Sequence, residues 1–204
     1  MRSFLVFASL LSTLAFADQV DPVSAYMTNT LTQGQQILDD KDTSTQTTAL
    51  CQWLGTNLDN DSIATTWLST YANLTRDNQA IAQFHTMVPS IFLSKILQAV
   101  GTNNVLGTFA VDPTSTASGS DFMVGVTITS ARGQAYKGTA VVDQVNSAYR
   151  VLDAQYMGFS AVDYLGQDFK NQLDKAYNAD PNNSLPVTAL INYIQGQTGY
   201  VACP

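Results

Sequence analysis

Phe122-Met123-Val124-Gly125-Val126-Thr127-Ile128-Thr129 is the stretch that decides the fold. Phe122, Val124, Val126 and Ile128 alternate with Met123, Gly125, Thr127 and Thr129, the period of a strand with one face on a core. Arg132-Gly133-Gln134 then turns the chain, and residues 105–111, 135–145 and 149–157 read as further strands on either side. The polar stretch 112–120 and the dipeptide Asn146-Ser147 read as connections, which predicts an antiparallel meander of about four strands.

Outward from the meander the period becomes helical. Upstream, Met27, Leu31 and Leu38 mark one face of a first helix, and Leu50, Trp53 and Leu54 mark a second that Gly55 should stop. Thr75 and Asp77 offer caps for a third helix carrying Ile81, Phe84, Val88, Ile91 and Phe92 at three- and four-residue spacing. Pro89 removes a donor inside it and should free the carbonyl of His85, so a kink or two consecutive helices are expected. Downstream of Gly158, Val162, Leu165, Phe169 and Leu173 share a helical face, and Ser184 and Pro186 start a last helix that Gly196 ends. The order predicts an α+β fold: N-terminal helices packed on a four-stranded antiparallel meander sheet, followed by C-terminal helices.

The N-terminus carries compartment information. Arg2 precedes an apolar stretch over 4–14, and Ala15-Phe16-Ala17 is a small-x-small cleavage site, so residues 1–17 read as a signal peptide and 18–204 as a single domain. No second apolar run of membrane-spanning length is expected after it. A length of 204 residues with 45% hydrophobic content supports one core. Nine Lys plus Arg against sixteen acids, all of them Asp, give a formal net charge of −7. That balance leaves no basic face for a phosphate backbone, which excludes nucleic acid as a natural partner. Cys51 and Cys203 are the only cysteines, an even count that in an oxidising compartment predicts one disulfide. A redox or metal site would need a further Cys or His at short spacing, and the sequence has none.

Candidate catalytic features dissolve into simpler roles. Gly158-Phe159-Ser160 sits where a strand gives way to a helix, the setting of a nucleophile elbow, but Val162 stands where the second Gly should be and no His follows Ser160. Ser160 with Asp163 three residues on reads as a helix cap. His85 is the only histidine, and the Asp39/Asp40 and Asp59/Asp61 pairs lie among Asn and Thr, where turn and cap chemistry accounts for them. Lys95, Lys137, Lys170 and Lys175 are scattered, and no glycine-rich phosphate cradle occurs. The reading therefore names no catalytic residue, no metal and no cofactor. It does find an apolar excess at the helix-to-sheet interface: Met87, Phe92, Phe109, Phe122, Met123, Tyr156, Met157 and Phe159. A packed core and a cavity wall would show the same pattern.

Residues 149–162, Tyr-Arg-Val-Leu-Asp-Ala-Gln-Tyr-Met-Gly-Phe-Ser-Ala-Val, followed by Phe169, resemble the signature of the MlaC family of periplasmic phospholipid-binding proteins, also called toluene-tolerance proteins. Tyr149, Arg150, Val151, Asp153, Gly158, Ser160, Val162 and Phe169 match without a gap, and Trp53-Leu54-Gly55, the helix around Ile81 to Phe84 and the meander follow in the family's order. Tyr164-Leu165-Gly166 departs from the family's Asn-Tyr-Arg, Phe159 replaces a smaller aliphatic residue, and the two cysteines lie outside the common pattern.

The resemblance implies a monomeric, non-enzymatic carrier in the periplasm that takes phospholipid acyl chains into an apolar pocket between sheet and helices. The implied partners are an outer-membrane lipoprotein complex and an inner-membrane Mla-type ABC transporter, between which lipid would be exchanged. The residues expected to line the pocket are Met87, Phe92, Phe109, Phe122, Val124, Val126, Ile128 and Tyr156. Two readings from other classes stand beside it. One is an exported hydrolase or isomerase on a similar α+β fold, which needs a carboxylate such as Asp153 or Asp121 inside a polar pocket; the other is a structural or adhesive domain with a filled core.

Overall fold

In the computed structural model, residues 20–40, 42–103, 107–130, 132–182 and 184–204 are described. The signal-peptide reading over 1–17 and the first positions of the strand expected from 105 lie outside them. Helices α1 (Pro22–Leu38), α2 (Thr43–Asn57), α3 (Asn60–Leu68) and α4 (Asn78–Asn103) come first. Strands β1 (Thr108–Val111), β2 (Thr116–Ser118), β3 (Asp121–Thr129), β4 (Ala135–Val145), β5 (Ala148–Tyr156) and β6 (Phe159–Ser160) follow, and then α5 (Ala161–Ala179) and α6 (Pro186–Gln195). The class is α+β, and the sheet is antiparallel throughout.

The sheet has six strands where alternation predicts four. Its order is β1-β3-β4-β5-β6, with β2 also paired to β3, so β1 and β2 succeed one another along the same edge. Thr116, Ala117 and Ser118 are all exposed and carry no apolar signal, which is why an edge strand hides in a stretch that reads as a loop. β6 is two residues long, paired to the end of β5 across a tight turn. The Asn146-Ser147 connection does form the β4–β5 hairpin, with both residues at positive φ (50° and 67°) as a two-residue turn requires.

Three helix boundaries depart from the sequence reading. α2 runs through Gly55 to Asn57, because the amide of Leu58 still donates to the Leu54 carbonyl at 3.0 Å. α4 is one element that contains Pro89 and is not divided there. Asp77 does not cap α4: its buried carboxylate accepts from the Val187 amide (2.7 Å), the Thr188 amide (3.3 Å) and the Thr188 hydroxyl (2.8 Å). It therefore serves the start of α6, where the flanking residue Leu185 makes no side-chain cap, so Ser184 is not the capping residue. The stretch Thr75–Gln98 is long and apolar enough to cross a membrane by length and composition, contrary to the expectation that no such run follows the N-terminus. Within this fold α4 is a core helix, packed against α2, α3 and α6 with Phe84, Val88 and Leu93 fully buried.

The core around Trp67 and the first half of α4 is closely packed. Trp67 of α3 stacks on Phe92 at 5.6 Å and meets Phe84 and Phe169 edge-on, while its indole N–H donates to the Val162 carbonyl at 2.8 Å. A Cβ on Gly166 would lie 2.7 Å from the Trp67 ring, so the position where the family resemblance calls for Arg is occupied by close helix packing. Leu173, Val187, Leu190, Ile191 and Ile194 complete this cluster from α5 and α6. Between Val141 and Val142 the β4–β5 register shifts by one residue. The shift puts Val151 on the same face as Ala154, in a second cluster formed by α1 and the sheet, while Leu152 packs against the helical cluster.

Candidate functional site

Between α1, the C-terminal half of α2 and the face of β3–β5, side chains do not fill the space. A cavity of about 510 Å³ lies there. α1 contributes Met27, Thr30 and Leu31 to its wall, the α2 end Trp53, Asn57 and Leu58, and β3 Val126 and Ile128. From β4 and β5 come Tyr136, Gly138, Ala140, Val151, Ala154 and Tyr156. The small residues leave the room: Ala140 pairs with Ala154 and Gly138 with Tyr156 across the two strands. A Cβ on Gly138 would sit 2.7 Å from the Gln155 carbonyl oxygen, so no larger residue fits there without displacing β5.

A second cavity, of about 250 Å³, adjoins the first. Gly34, Leu38, Leu50, Ile96, Thr108 and Phe109 are among its lining residues. Leu31, Trp53 and Ile128 line both cavities and so form the wall between them. That wall is held in place by polar contacts. The Trp53 indole N–H donates to the Thr30 carbonyl at 3.0 Å, and the Asn57 amide donates to the Trp53 carbonyl at 2.9 Å. Asn57 Oδ1 accepts from the Thr30 hydroxyl at 3.2 Å, and the Tyr26 hydroxyl donates to the Asn57 carbonyl at 3.1 Å. Burial pushes the Tyr26 hydroxyl above its ordinary pKa, against smaller lowering effects from Thr30 and the Arg150 charge, so it remains a neutral donor.

Among the described residues neither lining includes an Asp, Lys, Arg or His. The arrangement can desolvate apolar groups, and the described residues of its wall put no charged group into it. The carboxylates singled out as alternatives point to other tasks. Asp153 accepts from the Val162 amide at 3.0 Å, and Asp121 accepts from the Ser120 hydroxyl at 3.0 Å. Ser160 accepts from the Asp163 amide at 2.9 Å and caps α5 as its sequence spacing predicts. His85 Nδ1 lies 2.9 Å from exposed Asp61, and Asp59 accepts from the Ser62 amide to cap α3. Among the described residues no group of three or more potential metal ligands occurs.

The residues expected to line a pocket divide between three environments. Val126, Ile128 and Tyr156 line the larger cavity, and Phe109 and Ile128 the smaller. Val124 is fully buried in the α1–sheet cluster, and Phe122 packs against that cluster with its ring edge-on to Tyr149. Met87 and Phe92 belong to the helical side, where Phe92 stacks on Trp67. The sequence reading missed the wall-forming Trp53 and Leu31 and the small residues Gly138, Ala140 and Ala154. Their signal was present as gaps in side-chain size on the inward face of two strands. Cys51 and Cys203 form the expected disulfide, with Cα atoms 5.5 Å apart, and it fastens the C-terminal tail to α2 beside Leu50. The tail is also held on α4, where Ser90 accepts from the Cys203 amide (2.9 Å) and Ser94 from the Val201 amide (2.8 Å).

No family model matches the chain, and no curated protein matches it. Its fold does have a solved counterpart. The phospholipid-binding protein from Ralstonia solanacearum, in complex with a phospholipid at 1.53 Å, superposes with a TM-score of 0.62. The two share 16% sequence identity over 83% of this chain and 93% of that one. At that identity the likeness establishes a shared architecture.

Proposed function

We propose that the protein is a non-enzymatic phospholipid carrier of the MlaC type, which buries acyl chains in the paired cavities under α1 and leaves the headgroup in water. The observation that carries this reading is the cavity of about 510 Å³, within the range of about 300–1,000 Å³ typical of small-molecule sites and lined, among the described residues, without a charged side chain. Each methylene taken from water contributes about 0.8 kcal/mol, so a wall of this kind can retain lipid with no catalytic group. The fold shared with a protein whose structure holds a phospholipid supports the ligand class. The wall of Leu31, Trp53 and Ile128 supports two chains of one lipid lying in separate compartments.

The cellular role belongs to the same proposal. A signal peptide over 1–17 would export the chain to the periplasm, where a monomeric carrier would exchange lipid between an outer-membrane lipoprotein complex and an inner-membrane Mla-type ABC transporter. The test is mass spectrometry of organic extracts from protein purified without detergent. Phospholipid in stoichiometric amount is expected; extracts indistinguishable from those of a matched control protein would remove the reading.

A further inference from the structure

Val111, Val126, Gly138, Tyr156 and Phe159 form one row across the sheet, each opposite the next in register. Directly opposed residues project to the same face. The row therefore continues the cavity wall, to which Val126, Gly138 and Tyr156 belong, out to the β6 edge of the sheet. Exposure rises along it: Tyr156 is 47% exposed and Phe159 76%. Met157 at the hairpin turn is 77% exposed and Tyr164, in the first turn of α5, 75%. The Tyr136 ring lies 6.2 Å from that of Tyr156, beside the cavity.

The turn itself is unusual. Met157 and Gly158 both have positive φ (51° and 81°), a backbone that favours Gly or Asn at the first position, yet a long apolar side chain stands there in water. The run 154–162 contains no charged residue, so the hairpin can leave water without desolvating a charge. Its few apolar side chains fall short of the roughly 800 Å² per partner that a stable protein interface buries. A bilayer interface sets no such minimum, and tyrosines with an apolar ring and a polar tip suit it. The chain's net charge of −7 favours a neutral surface over an anionic one.

We infer that the Met157/Phe159 hairpin docks the carrier on a neutral phospholipid bilayer and gives acyl chains an apolar path from membrane to cavity. This rests on the carrier reading, since the path has meaning only if the cavity takes lipid. Direct docking lowers the barrier to transfer because methylenes pass along Phe159 and Tyr156 instead of through water.

The test places a probe at the tip and at a distant control. With the native disulfide intact, Met157→Cys is labelled with an environment-sensitive nitrobenzoxadiazole dye, and Asn192→Cys, exposed on α6, serves as control. Phosphatidylcholine vesicles should shift the emission at position 157 to the blue, spin-labelled lipid should quench it, and position 192 should not respond. Separately, Met157→Ser/Phe159→Ser should keep its melting temperature and bound lipid but extract lipid from phosphatidylcholine vesicles about tenfold more slowly. No response at 157, equal responses at both sites, or unchanged extraction by the double variant would overturn the inference. So would sedimentation showing self-association through this hairpin. Wild-type protein that carries no lipid defeats the carrier reading itself, whereas lipid-loaded protein with a silent probe defeats only the docking surface.

Discussion

The α4-centred half and the α1–sheet half of the molecule draw on the same apolar residue types and end up differently filled. Around Trp67 three aromatic rings interlock and the neighbouring aliphatic side chains are almost wholly buried. Under α1, by contrast, Ile128 and Tyr156 keep 40% and 47% exposure although they lie on the inward face of the sheet. Small residues act differently in the two places: Gly166 lets the Trp67 ring pack directly on α5, while Gly138, Ala140 and Ala154 put little side chain on the cavity wall. One half is filled, and the other combines a small buried cluster with an open space.

The strongest way to break the comparison is to loosen what frames both halves. Replacing both cysteines by Ser removes a cross-link between residues 152 apart, for which the chain-entropy model gives about 4 to 5 kcal/mol. A large fall in denaturation midpoint is expected by chemical unfolding. Thiol-reagent labelling of the unreduced, denatured wild type should find no free thiol. On the solid side, Phe84→Ala should cost about 3 to 5 kcal/mol, because Phe84 is fully buried and its surroundings cannot collapse. If thermal and chemical unfolding instead put the cost near that of a surface substitution, the helical half is not a filled core.

Asp77→Ala should cost about 2 to 3 kcal/mol, since it strands two amides and a hydroxyl at the start of α6. The loss should be recovered in part by Asp77→Asn, measured on the same unfolding curves. The smallest stability effect is expected on the open side. Val126→Trp in a filled core would cost about 1 to 3 kcal/mol by overpacking. Beside the larger cavity the indole has room, so the change should stay under about 1 kcal/mol while bound lipid falls sharply. At high pH a last, minor difference appears. Burial, with help from the Asp174 carboxylate 2.8 Å away, pushes the Tyr71 hydroxyl up to about 12. The folded state thus favours neutral Tyr71. Its contribution is complete below the unfolded value near 10 and is lost as pH rises toward 12, and Tyr71→Phe should remove that part of the alkaline transition.

The sequence made the elements legible where the period was strong and obscure where structure depends on distant pairs. Phe122, Val124, Val126 and Ile128 announce β3, and the Ser160 cap follows from its own spacing. Thr116–Ser118 pairs on an exposed edge without any apolar alternation, and Asp77 caps a helix 110 residues further along the chain, so neither could be read locally. The site was half legible for the same reason. Alternation identified the face that carries Val126 and Ile128, but Met87 and Phe92 look identical to cavity residues in sequence and are taken by Trp67 and its neighbours in space. Whether an apolar face is filled depends on the residue opposite, and Gly138, Ala140 and Ala154 become informative only once β4 and β5 are in register.

The central claim, that the α1–sheet half holds lipid where the helical half holds side chains, is tested most directly by one paired measurement: phospholipid per folded molecule, by mass spectrometry of detergent-free preparations of wild type and Val126→Trp. The account predicts stoichiometric phospholipid in the wild type and little in a variant that still unfolds near the wild-type temperature. A wild type with no lipid above a matched control, or a variant that keeps its lipid and loses stability, would contradict it.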